Sequence, residues 1–219
     1  MNLTVVATGS RGDVEPYLAL ARALTGAGHR VTFVTTSDFV HLVTGAGLDV
    51  AEIPVNVRDR LADPEVRRDL QDRGPLVAFR SLAALARDAA RLSVETSTSA
   101  ADGSDMVVAG LGGHHAALAA ARACGLPLVR AFNGPLTPTT AYPGTLFPHW
   151  PAGPGGILNR VSHQLSRQVV WFANQQSLRD WKDPFELSRY PGTLLYGISP
   201  SLLWNVPGLV EGGTYFAGS

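Results

Sequence analysis

The residues best suited to chemistry lie in one short run, Thr8-Gly9-Ser10-Arg11-Gly12-Asp13-Val14-Glu15-Pro16. Gly9 and Gly12 permit a tight strand-to-helix turn and a close approach of backbone to a ligand. Pro16 is at home in the first turn of a helix, so Asp13 falls beside free N–H groups that favour a negative charge. A carboxylate in that place can accept a proton from a substrate hydroxyl. It can equally do no more than cap the helix, a role aspartate fills often. The glycine spacing does not fit the dinucleotide fingerprint G-x-G-x-x-G, and the run is not a phosphate-binding G-x-x-x-x-G-K-[ST] loop. Arg11-Gly12-Asp13 spells an adhesion tripeptide, but no secretion signal gives it a place to act.

Two further segments carry reactive or adhesive side chains. In Gly110-Leu111-Gly112-Gly113-His114-His115 one histidine is placed to bond a ligand or orient Asp13. A helix cap beside a solvated imidazole explains the pair as well. Phe132-Asn133-Gly134-Pro135 opens a proline-rich connection of about twenty residues, a length uncommon in a compact domain unless it binds something. It offers Tyr142, Phe147, His149 and Trp150, whose faces suit an apolar, ring-shaped ligand or the domain's own core.

These segments need a scaffold that brings them together, and the hydrophobic pattern supplies one. Short apolar runs at Leu3–Thr8, Val31–Thr36, Val50–Val55, Met106–Ala109, Leu128–Phe132, Leu194–Ile198 and Tyr215–Phe216 read as strands. Between them lie helical patterns: Leu18 to Leu24, closed by Gly26 and Gly28; Phe39 to Val43; two helices between Asp63 and Ser99; Ala116 to Ala123; and Ile157 to Asp183. In the last, Leu158, Val161, Leu165, Val169 and Phe172 make a stripe expected to be buried. The alternation predicts an α/β, Rossmann-like, mostly parallel doubly wound sheet of about seven strands with helices on both faces. In such sheets ligands sit outside the carboxyl ends of the strands, which nominates four neighbouring segments: Gly9 to Asp13, Ser37 to Phe39, Gly110 to His115 and Phe132 to Pro154.

Composition narrows the function classes. Hydrophobic residues make up 45% and charged residues 16% of the 219 residues, which excludes a disordered chain. Eighteen basic residues balance eighteen acidic ones, so no overall field draws in nucleic acid. Arginines 67, 68, 73, 80 and 87, interleaved with acids, read as a solvated face. The lone Cys124 excludes an internal disulfide and suits a reducing cytoplasm. The N-terminus lacks a basic n-region and an apolar h-region. The long stretch from Ala131 to Asn159 has no Asp, Glu, Lys or Arg, yet six prolines after position 131 forbid a spanning helix. No metal-ligand spacing is visible, and no cofactor is expected.

The Gly9–Pro16 run, with the Leu18–Leu24 helix behind it, resembles the opening of GT-B glycosyltransferases, nearest to bacterial natural-product and sterol glucosyltransferases. Gly28-His29-Arg30-Val31-Thr32-Phe33 and Tyr196-Gly197-Ile198-Ser199-Pro200 extend the resemblance over most of the chain. It implies an N-terminal acceptor-binding domain spanning residues 1–219, one half of a GT-B fold, with the C-terminal donor domain absent. Asp13 would be the base of an inverting sugar transfer to a lipophilic hydroxylated small molecule. Ser10, Gly12, His114, Phe132, Asn133, Tyr142, Phe147 and Trp150 would contact the acceptor. Its partners would be that acceptor and the donor domain that holds the nucleotide-sugar, and this part alone would be inactive. A stand-alone binding or regulatory module for a hydrophobic ligand is the alternative; a nicotinamide-dependent enzyme is a third reading, which expects cofactor binding.

Overall fold

A computed structural model describes residues 1–56, 59, 62–71, 89–133, 138–144, 147, 156–174, 192–197 and 214–215. Strands run Asn2–Val6 (β1), Arg30–Thr36 (β2), Asp49–Ile53 (β3), Met106–Ala109 (β4), Leu128–Phe132 (β5), Gly192–Tyr196 (β6) and Thr214–Tyr215 (β7). Helices are Arg11–Gly26 (α1), Val40–Gly45 (α2), Pro64–Gln71 (α3), residues 89–101 (α4), His114–Cys124 (α5) and Ile157–Asn174 (α6). A 3-10 turn, Ser37–Phe39, leads into α2.

All neighbouring strands pair in parallel, in the order β3-β2-β1-β4-β5-β6-β7. The sheet is therefore the doubly wound one the sequence predicts, with β7 described at Thr214–Tyr215. β1 can lie inside the sheet, between β2 and β4, because both its faces are apolar. Leu3, Val5 and Ala7 pack with Val14, Tyr17 and Ala21 of α1 and Val43 of α2. Val6 turns the other way, to Ala101 of α4 and the alanine-rich face of α5. Thr4, buried on that second face, satisfies its hydroxyl on the Ala100 carbonyl at 2.9 Å. From β1 the chain winds outward through β2 and β3, then returns to lay β4 on β1's other side. The carboxyl ends of β1 and β4 thus flank the topological switch point, the usual place for a ligand in such a sheet.

One expectation fails. The α6 stripe is not buried: Leu158, Val161 and Leu165 are 38%, 41% and 39% exposed, while Asn159, Ser162 and His163 are 6%, 0% and 3% exposed. The cause is the proline-rich loop, whose backbone groups need partners. Asn159 Nδ2 donates to the Thr140 carbonyl, Ser162 Oγ accepts the Gly144 N–H, and His163 Nε2 meets the Tyr142 carbonyl at 3.1 Å. Local hydrogen-bonding demand overrides apolar periodicity here. The side chains of Val169, Trp171 and Phe172, and residues 175–183 of the expected helix, lie outside the described residues.

No helix among the described residues is long and apolar enough to cross a membrane. Arg67 and Arg68 on α3 are exposed, as the solvated-face reading expects. The other three arginines of that group fall outside the described residues.

Candidate active site

The first chemical segment is the turn between β1 and α1. Ser10 is the N-cap of α1 and Asp13 its third residue, so the two form a capping box. Asp13 Oδ2 accepts the Ser10 N–H at 2.9 Å and the Ser10 hydroxyl at 2.7 Å. One carboxylate oxygen is thereby fixed. The side chain is half-buried at the strand's carboxyl end, and no described donor engages Oδ1. The capping role and a catalytic role are compatible, since capping occupies only one oxygen.

Gly9 and Gly12, which the sequence treats alike, differ. Gly9 has φ +125°, and a Cβ there would stand 2.7 Å from Asp13 Oδ2. Gly12 lies inside the first helical turn, where a Cβ would meet only Ser10 Oγ, at 3.8 Å. The turn therefore does not require glycine at 12. Gly9→Ala should cost about 1–2 kcal/mol from the left-handed backbone alone, with more from displacing the carboxylate. Gly12→Ala should stabilise the chain by up to about 1 kcal/mol. Denaturant midpoints compare the two; equal effects would contradict this turn geometry.

The second segment, Gly110–His115, packs onto the first. Gly110 N–H continues the ladder to the Val6 carbonyl at 2.8 Å. A Cβ on Gly112 would collide with the Thr8 carbonyl, and one on Gly113 would stand 2.6 Å from the Val6 carbonyl oxygen. His114 opens α5 and meets the Phe132 ring edge-on, with centroids 5.4 Å apart. Its Nε2 is buried and has no hydrogen-bond partner among the described residues. Burial, with smaller contributions from His115 and the Arg130 charge, pulls the His114 pKa well below the ordinary range. Burial brings His115 down to about 4. Both imidazoles are therefore neutral at pH 7.

That depression fixes a pH dependence of stability. The unfolded chain protonates these histidines near the ordinary 6.5, before the folded chain does. Their contribution is complete above that value and drains away as pH falls toward about 4. Thermal unfolding of His115→Asn should show a shallower loss over that window than the parent; parallel curves would contradict the burial.

In the third segment, Phe132 ends β5 and is buried against His114, while exposed Asn133 donates from Nδ2 to the Gly12 carbonyl at 3.3 Å. The structure thus brings Ser10, Gly12, Asp13 and Asn133 together by hydrogen bonds, with His114 and Phe132 in contact at the adjoining strand end. Tyr142 is turned to α6, its ring edge-on to His163 at 5.7 Å. Phe147 is half-buried, its N–H bonded to the Gly144 carbonyl. Trp150 and His149 lie outside the described residues. Among the described residues no group of three His, Cys, Asp or Glu gathers where a metal could bind.

Sequence reasoning missed Tyr17. Its hydroxyl donates to the Ala131 carbonyl at 2.6 Å and accepts the Leu111 N–H at 3.2 Å. Burial, reinforced by the Asp13 charge, raises its pKa above the ordinary value of 10.0. The available signal was a phenol on the buried Val14-Tyr17-Ala21 face, since a buried hydroxyl needs a partner.

Residues 3–130, more than half of the chain, match the glycosyltransferase family 28 N-terminal domain. The chain belongs to that family. The family 28 domain described here is 30% identical over 215 residues to a sterol 3-beta-glucosyltransferase of Debaryomyces hansenii, covering 92% of this chain and 13% of that protein. The Candida albicans sterol 3-beta-glucosyltransferase is 29% identical, over 92% of this chain and 14% of its own length. The chain thus spans about an eighth of these curated relatives. In fold it is similar to the Streptomyces sp. SF2575 glycosyltransferase SsfS6 solved with thymidine diphosphate, with a TM-score of 0.55. That match is 20% identical and covers 99% of this chain and 52% of that one. The family 28 domain is accordingly a Rossmann-like half of a GT-B fold, akin in sequence to fungal sterol enzymes and in fold to a Streptomyces glycosyltransferase.

Proposed function

We propose that this domain is the acceptor-binding half of an inverting glycosyltransferase, with Asp13 as general base. The acceptor is a lipophilic small molecule with a hydroxyl, and the donor is a nucleotide-sugar held mainly by a second, C-terminal domain. Asp13 takes the hydroxyl proton while the acceptor oxygen forms its bond to the anomeric carbon. The bond to the nucleoside diphosphate breaks, and the anomeric centre inverts. This half alone does not transfer sugar, because it holds no donor. Cytoplasmic work on a small-molecule acceptor is the setting the reading implies.

The observation that carries the reading is the Asp13 carboxylate, with Oδ2 tethered by Ser10 and Oδ1 without a described donor, at the switch point of the sheet. The half-buried, neutral His114 next to Phe132 supports it, since an uncharged imidazole beside an aromatic edge suits an apolar ligand with a hydroxyl. The similarity to sterol 3-beta-glucosyltransferases supports the same acceptor class.

The capping box favours a second reading, a non-catalytic module that holds a hydrophobic ligand, because a cap alone would explain both Ser10 and Asp13. Titration of the chain with detergent-solubilised ergosterol, followed by NMR, tests the shared part. Shifts are expected at Ser10, Asp13, Leu111, His114 and Asn133; shifts confined to α6 or the sheet's amino edge would count against an acceptor site here. Transfer chemistry then separates the two readings, as argued below.

A further inference from the structure

We infer that Tyr17 is a positioning residue, whose single hydroxyl sets the base-bearing turn at a fixed place relative to the two segments that face the acceptor. The inference rests on the proposed function above. Tyr17 lies one helical turn after Asp13 on α1, so the two side chains share a helix flank. Its ring is buried and fills the space over Gly110, where a Cβ would come within 2.8 Å of Cε2.

The hydroxyl serves two backbone groups that the sheet leaves over. β4 makes its last pairing with β5 at Ala109 and Arg130, so the next carbonyl, that of Ala131, extends past the end of β4. Tyr17 donates to it at 2.6 Å. The same oxygen accepts the N–H of Leu111, the second residue beyond β4, at 3.2 Å. One atom on α1 therefore ties the Gly110–His115 turn and the end of β5 to the helix that carries Asp13. Asn133, bonded to the Gly12 carbonyl, adds a second tie between the same parts.

A phenylalanine would fill the core here without the expense of burying a hydroxyl. The phenol is thus explained by the two bonds, and what they fix is the distance between the helix that bears Asp13 and the ends of β4 and β5. Proton transfer depends steeply on such placement, because the base must stay within hydrogen-bond reach of the reacting hydroxyl. Misplacement of the turns lowers the chance of a productive pose more than it lowers acceptor binding, which is spread over many apolar contacts.

The test is Tyr17→Phe in the polypeptide that joins this chain to its donor-binding half, assayed with ergosterol and UDP-glucose as probes. We expect kcat to fall by about tenfold with acceptor KM within about twofold. In the chain itself, exchange of the Leu111 amide should accelerate by about tenfold or more as its acceptor is lost. Val31→Ala, at the far end of β2, serves as a control for lost stability and should keep kcat. Retained kcat in Tyr17→Phe, an equal fall in Val31→Ala, or a Tyr17→Phe chain that does not fold would each overturn the positioning role. Full turnover in Asp13→Asn under the same assay would remove the base, and this inference with it. Loss of turnover in Asp13→Asn beside retained kcat in Tyr17→Phe would overturn the inference and leave the base standing.

Discussion

Asp13→Asn is expected to reduce turnover by about two or more orders of magnitude, while acceptor affinity stays close to that of the parent. The substitution is nearly isosteric. Asparagine caps a helix about as well as aspartate, and its amide oxygen can keep the bonds from the Ser10 N–H and hydroxyl. The fold and the turn should therefore survive. What is lost is the ability to take a proton, because an amide is not a useful base at neutral pH. Steady-state kinetics on the polypeptide that joins this chain to its donor-binding half, with a melting curve for each variant, reads both effects. Turnover within a factor of about three of the parent, at unchanged stability, would reduce Asp13 to a helix cap and favour the binding-module reading.

The second large effect concerns the fold beneath the site. Gly112→Ala should destabilise the chain by about 3 kcal/mol, the upper end of the usual cost of overpacking, because the neighbour is rigid backbone. The obstacle is backbone. An added methyl would collide with the Thr8 carbonyl oxygen and stand 2.8 Å from its carbon. No side-chain rotation relieves that, so either the Gly110–His115 turn or the end of β1 must move. For a domain of this size the loss corresponds to a fall in Tm of about 6–12 °C by calorimetry. The same movement should degrade transfer beyond what lost stability explains, because the end of β1 leads directly into the turn that carries Asp13. A Tm within about 2 °C of the parent would mean that the two turns do not touch.

The scaffold was legible because burial wrote it plainly. Leu3, Val5 and Val6 form a run apolar on both faces, the pattern of a parallel strand covered on both sides. The site was legible where chemistry depends on local spacing: Gly9, Ser10 and Asp13 lie within five residues, and their mutual contacts follow from one turn. It was less legible where distant segments meet. Nothing in the sequence ties Asn133 to Gly12, or Tyr17 to Ala131, since those pairs are separated by more than a hundred residues. The α6 stripe misled for another reason. Periodicity reports which residues share a face, but the demand of loop backbone for partners decided which face turned inward.

A crystal structure of the chain with a hydroxylated acceptor bound addresses the central claim most directly. The acceptor hydroxyl should lie within about 2.6–3.2 Å of Asp13 Oδ1, with the apolar body of the ligand against His114 and Phe132. An acceptor seated elsewhere, or one whose hydroxyl points away while Asp13 serves only Ser10, would contradict the account.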